Sequence, residues 1–210
     1  MKLTADRRLL LERRTGGLSR PSKMPGWSYS LPAGRYCHTG RNLMNIQGSA
    51  CSDCYALKGH YRFPNVVAAQ LRRLQAVNFS PTWIDDMVEL IGSKREKYFR
   101  WHDSGDLQSI NHLQKIVHVA NRLPTYQFWL PTLELRFVRA FRSMTGGFPF
   151  NLTVRVSTPM VDAPPPTTDE CTASVVSINA TCPAPQQGNR CGRCRDCWNP
   201  GVKHVSYQQH

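Results

Sequence analysis

Seven of eight cysteines fall into two groups near opposite ends of a 210-residue chain, with Cys171 apart, and whatever fold forms must gather each group. The C-terminal group reads Cys182-x8-Cys191-x2-Cys194-x2-Cys197. Two successive two-residue gaps put three sulfurs on one tight loop. That fits three corners of a cubane cluster, with the remote Cys182 as fourth ligand. Zinc competes for the same thiolates, but structural zinc sites are usually built from two separated Cys-x2-Cys knuckles, and Cys182 stands alone. The spacing favours a [4Fe-4S] cluster, with zinc as the alternative. Pro183, Gly188 and Gly192 relax this loop so that amides can point at sulfur. Arg190, Arg193 and Arg195 either offset cluster charge or serve solubility.

The N-terminal group, Cys37-x13-Cys51-Ser52-Asp53-Cys54-Tyr55, has three cysteines. A cubane held by three thiolates leaves one iron without a protein ligand. That iron is open to substrate or to the amino and carboxylate groups of S-adenosylmethionine, whose sulfonium such a complex can cleave on reduction. The other reading is a second structural site completed by Cys171 or His38. Cys171 is either a fourth ligand or a buried small hydrophobe. One or two clusters follow, according to whether the groups pool.

The chain does not open like a secreted protein. Its first apolar run, Leu9-Leu10-Leu11, is short and flanked by charge, and no apolar stretch approaches the ~20 residues that cross a bilayer. The expected location is the cytoplasm, where thiols stay reduced and a disulfide framework is disfavoured. Lys and Arg number 27 against 14 Asp and Glu, a formal net charge of +13. Such a balance suits polyanionic partners, nucleic acid above all, although it also serves solubility.

The length suits one α/β domain with an elaborated end. Residues 1–34 read as a basic arm, carrying Arg7, Arg8, Arg13, Arg14, Arg20 and Lys23, followed by extended loop; the arm is either mobile or one short helix. Residues 35–210 form the α/β domain, with a cysteine loop over 35–62 and a cysteine-rich segment over 171–198. Helices are predicted over 65–78 and, from Ser80-Pro81 as cap and first position, to Gly92. Strands at 97–101, 126–130 and 150–156 alternate with helices capped by Ser109 and spanning 134–143. A proline loop covers 159–169, and further strands lie at 174–178 and 202–207. This order implies parallel strands joined by right-handed crossovers. An incomplete β/α barrel is the first choice and a small open parallel sheet the second, each carrying cysteine-rich metal-binding loops.

In either architecture ligands meet the carboxyl ends of the strands. His102, Asp103 and Asp106 follow a predicted strand, where they suit acid–base work or binding of a small polar ligand. The alternative is a turn in which Asp103 and Ser104 cap amides and Gly105 supplies positive φ. His102 and Asp106 are the candidate catalytic pair. Tyr55, Tyr61 and Trp198 either shield a cluster or pack. There is no zinc-hydrolase histidine spacing, phosphate-binding glycine loop or nucleophile elbow.

The stretches SYSLPAGRYCHTG, CSDCYALKGHY, FRWHDSGDLQS and CPAPQQGNRCGRCRDCW resemble a bacteriophage-encoded family catalogued as gene product 88, from about Lys23 to the C-terminus. The resemblance implies a phage protein with cysteine-bound metal, working in the host cytoplasm. A looser similarity is to radical S-adenosylmethionine proteins, whose start looks like Cys-x2-Cys-Tyr ahead of alternating strands and helices. It implies Cys37, Cys51 and Cys54 as cluster ligands, and Ser104, Gly105 and Asp106 where that superfamily contacts the amino group of its cosubstrate. The first gap here is thirteen residues, where that superfamily has three. Three functions follow: an iron–sulfur protein of radical S-adenosylmethionine type, a non-enzymatic iron–sulfur protein binding nucleic acid or a host protein, or a zinc-stapled binding protein.

Overall fold

The computed structural model describes residues 3–209. Met1, Lys2 and His210, the outer ends of the two expected regions, lie outside the described residues. Six strands form one parallel sheet: β1 (Trp27–Tyr29), β2 (Tyr98–Trp101), β3 (Gln127–Thr132), β4 (Leu152–Ser157), β5 (Cys171–Val176) and β6 (His204–Gln208). Their order in the sheet is their order in the chain, and every neighbouring pair is parallel. The sheet is open, with β1 and β6 at its edges. This is the expected incomplete α/β architecture.

The helices are α1 (Ala5–Thr15), α2 (Gly40–Leu43), α3 (Pro64–Phe79), α4 (Trp83–Gly92), α5 (Ile110–Arg122) and α6 (Leu135–Thr145). When strands follow one another in sequential order, crossovers of one hand put their helices on one face. That face is packed by Phe99 and Trp101 of β2, Phe128 and Leu130 of β3, and Val154 and Val156 of β4. Met87, Ile91, Leu113, Ile116, Val138 and Phe141 meet them from the helices. The alternate residues of the same strands point the other way, as the two-residue period of a strand demands. Trp129 forms a second, smaller core with Trp198, Cys197 and Val205, beside Arg155. This second face carries Cys197, with Cys182 packed against it.

One open alternative is decided and two local expectations change. The segment expected as arm and extended loop contributes α1 and β1. Thr4 caps α1 by accepting from the Arg7 amide, and Leu11 is fully buried. Arg7 and Arg14 pair with Glu89 and Asp86 of α4. The strand β1 is three residues in a Pro- and Gly-rich stretch, too short for periodicity, and exists because Trp27–Tyr29 pairs with Phe99–Trp101 far along the chain. Finally, α4 starts at Trp83 rather than Pro81. Ser80 instead terminates α3, its amide donating to Ala76, and Thr82 precedes the new helix. Ser109 caps α5 as expected, accepting from the His112 amide at 3.1 Å. Among the described residues no helix is long and apolar enough to cross a membrane.

A buried amide joins α5 to the sheet. Asn151 Nδ2 donates to the carbonyls of Ala120, Leu123 and Tyr126 at 3.0–3.1 Å. Asn151→Ala strips buried carbonyls of their donor and is expected to cost about 2–3 kcal/mol, read as a lower urea midpoint at unchanged slope.

Candidate functional site

The chain leaves β1 and lays residues 30–62 across the carboxyl ends of the next three strands. His38 Nε2 meets the Gln108 carbonyl at 2.9 Å, beyond β2. The Thr39 amide donates to the fully buried Glu134 carboxylate at 2.7 Å, beyond β3. The Ala50 amide donates to Pro159 at 2.8 Å, beyond β4. These ties hold Cys37, Cys51 and Cys54 over the strand ends. Gly40 is needed there: a Cβ on it would lie 2.9 Å from Cys37 Cβ and 3.4 Å from Cys51 Sγ.

The three thiols act on one another. Burial raises Cys37, with Asp106, Cys54 and Cys51 adding to it. Burial, then Cys54 and Asp106, push Cys51 up to about 12. Burial also raises Cys54, against the amides of Ala56 and Leu57, which favour its thiolate. These thiols are protonated near neutral pH, and any metal bound there would have to displace their protons, as thiolate ligation requires.

The C-terminal group is tied to other elements, at β6 and ahead of β1. The Cys182 amide donates to Ser206 of β6, and the Cys191 amide to Lys23, ahead of β1. Cys197 Sγ lies 3.2 Å from the Tyr207 hydroxyl. Burial pushes Cys197 up to about 11, while Tyr207, Arg100 and Arg155 favour its thiolate. Cys191 and Cys194 are raised by burial, and the charge of Cys182 acts on both. The anchor is Arg155, fully buried in β4. Its guanidinium donates to the carbonyls of Asp196, Cys197, Asn199 and Val202, at 2.6–3.1 Å, and to Thr172 at 3.3 Å. Thr153 and Phe99 fix Trp198, through its carbonyl and its indole N–H.

The groups thus stand apart, with Arg100 between them. Its guanidinium donates to Tyr55, next to Cys54, at 3.3 Å and lies 4.3 Å from the centre of the Trp129 ring. Cys171 is buried, and its thiol donates to the Pro200 carbonyl at 3.5 Å. His38 turns to Gln108 and to the edge of Phe137. All eight cysteines are free. No group of three or more His, Cys, Asp or Glu side chains among the described residues closes around a single-ion position.

The strand-end residues divide by role. The Ser104 hydroxyl donates to Leu31 and accepts from Gln70. Gly105, at φ +75°, packs where a Cβ would lie 2.6–2.9 Å from Leu31 atoms. Both lock the turn after β2 onto the chain leaving β1. Asp106 accepts from Thr132 and from the Leu107 and Leu133 amides at 2.6–2.8 Å. Burial nevertheless pushes it up to about 7, and its charge reaches Cys37 and Cys51. Asp103 is held by Ser30 and Tyr61, and its carbonyl by Tyr55. His102 takes φ +54° and is buried, with neither ring nitrogen hydrogen-bonded. Its ring stands edge-on to His112 at 5.1 Å.

Sequence reasoning missed Arg100, Arg155, Glu134 and Gly40. Arg100 and Arg155 carried one available signal, a charge at alternate positions of otherwise apolar strands. A cleft of about 240 Å³ beside Cys37 is lined by His38, Thr39, Arg41, Asn42, Leu43 and Arg136.

Burial keeps His102 and His112 neutral. His112 falls to about 3, and His102 shifts in the same direction, with His112 and Arg100 adding to the effect of burial. The unfolded chain binds these protons near pH 6.5 and the folded one does not, so their contribution is complete above pH 6.5 and drains away below it. His112→Gln is expected to flatten the fall of the urea midpoint between pH 6.5 and 4; an unchanged slope would remove this imidazole from the account.

No curated protein matches the chain, and no solved structure does. The comparisons do not support the looser similarity to radical S-adenosylmethionine proteins. The family model described as Gene product 88 matches residues 1–200, a span that takes in both cysteine groups and every strand but the last. The chain therefore belongs to the phage Gene product 88 family.

Proposed function

We propose that this phage-family protein binds two iron–sulfur clusters, one at each cysteine group, and that the N-terminal one keeps an iron open to a small ligand. The observation that carries the reading is the gathering of Cys37, Cys51 and Cys54 over the carboxyl ends of parallel strands. In open α/β sheets ligands bind at those ends. The two side chains nominated to complete that group, Cys171 and His38, are engaged elsewhere. A three-thiolate cluster with an unliganded iron fits this arrangement. When bound, such a cluster supplies an electron and a coordination site, which is what reductive cleavage of S-adenosylmethionine needs.

The chain's own groups have defined tasks in this reading. The Ala56 and Leu57 amides stabilise the Cys54 thiolate. Asp106, held by three donors under Cys37 and Cys51, takes up or gives a proton as thiolates form above it. Tyr55 and Tyr61 wall the loop from the side of Asp103. The cleft beside Cys37, with Arg41, Arg136 and His38 in its lining, suits an anionic substrate. With a net charge of +13, nucleic acid is the partner class that fits. The C-terminal group, with four cysteines, needs no outside ligand and staples its loop over the sheet.

Anaerobic reconstitution is expected to give brown protein with about eight irons and eight sulfides per chain, the content of two cubanes. Cys54→Ala and Cys194→Ala should each remove about half. A colourless protein holding only zinc would overturn the reading. Dithionite with S-adenosylmethionine should yield 5′-deoxyadenosine from the wild type and none from Cys54→Ala. No product from fully loaded protein would remove the catalytic half and leave the clusters standing.

A further inference from the structure

The face of the sheet between the two cysteine groups holds positive charge without matching negative charge. Arg155 is fully buried, and its hydrogen bonds go to backbone carbonyls. Arg100 donates to the Tyr55 hydroxyl, itself neutral. Among the described residues neither arginine has a carboxylate within 4.0 Å. A charge away from water is costly unless something compensates it, which applies in full to Arg155 and, for the half-buried Arg100, to its covered Nε. Asp103 attracts Arg100 from farther off, as do Tyr55 and Tyr207.

Two donors beside these charges also lack acceptors. Arg100 Nε and Trp129 Nε1 are buried and have no hydrogen-bond partner. They belong to stacked groups, the guanidinium lying over the Trp129 ring. Trp129 in turn meets Trp198 edge-on at 5.2 Å and stacks on Tyr207 at 6.2 Å. Those two residues are the immediate neighbours of Cys197, one in sequence and one through its hydroxyl. The Arg100 charge reaches Cys191 as well. Native proteins rarely leave buried N–H groups idle, so donors of this kind mark the place of an acceptor.

We infer that Arg100 and Trp129 are hydrogen-bond donors to the metal–thiolate group of Cys182, Cys191, Cys194 and Cys197, and that Arg100 with Arg155 supplies its counter-charge. The inference rests on the iron–sulfur reading of that group. Thiolates and inorganic sulfide are acceptors, and a cubane held by four thiolates is anionic. Hydrogen bonds and nearby charge are among the factors that set such a cluster's potential. Reduction adds an electron and increases the negative charge, so a fixed cation beside it favours the reduced state. Arg100 is then a positioning and tuning residue, one that never ligates iron.

The test uses the full chain with Cys51→Ala and Cys54→Ala, so that iron sits only at the C-terminal group. Midpoints are read by dithionite titration followed by electron paramagnetic resonance, with iron and sulfide counted in each sample. Arg100→Gln is expected to keep the iron and move the midpoint to more negative potential by a tenfold change in the one-electron equilibrium, about 59 mV. Arg100→Lys, which keeps the charge and loses the Nε–H, should recover most of that shift. Trp129→Phe should give a smaller shift of the same sign. Retained iron with an unmoved midpoint in Arg100→Gln overturns the inference and leaves the cluster reading intact. Absence of iron from the parent chain overturns both. If Arg100→Gln does not fold, retained iron with an unmoved midpoint in Trp129→Phe overturns it.

Discussion

One guanidinium holds the C-terminal half of the chemistry in place. Arg155 sends its N–H groups to five carbonyls, two of them at the end of the cysteine loop and two just beyond it. A loop rich in Gly, Pro and charge has little apolar surface with which to dock, and hydrogen bonds to a charged donor are the stronger kind. Arg155 can serve this way because it sits mid-strand in β4, where the sheet fixes its backbone and the pleat aims it away from the helices. The helical face of the same strand is apolar, with Val154 and Val156 in the main core. One strand thus builds the core on one side and organises a polar loop on the other.

The N-terminal group is held by a different device. Its loop is too irregular to position sulfurs by itself, so it borrows rigidity from the ends of three strands, through Gln108, Glu134 and Pro159. Close packing completes the fit at Gly40, where the loop leaves no room for a side chain beside two cysteines. The two groups therefore hang from different elements, with Arg100, Tyr55 and Trp129 between them.

The long amphipathic helices and the interior strands were legible because their periods are strong and their boundaries chemically marked. Ser109 is the clear case, a cap read from sequence and found accepting from His112. Failures came where long-range pairing decides. Trp27–Tyr29 is a strand only because β2 lies beside it. Ser80 looked like the start of one helix and is the end of another, since either role suits a serine and only the path of the chain chooses. At the site, the spacing of the cysteines showed which belong together. It was silent on Arg100 and Arg155, because a charge in a strand announces nothing about what lies across from it.

Sequence alone determined the parallel α/β class, the two cysteine groups, and the basic character of the chain, all of them consequences of local periodicity, spacing and composition. The tertiary structure decided that the groups stand apart, that Cys171 and His38 turn elsewhere, and that Ser104 and Gly105 lock a turn against Leu31. The physical reason is that these outcomes depend on contacts between residues tens of positions apart. Their partners are chosen by the sheet register and by burial, neither of which is written at any one place in the chain.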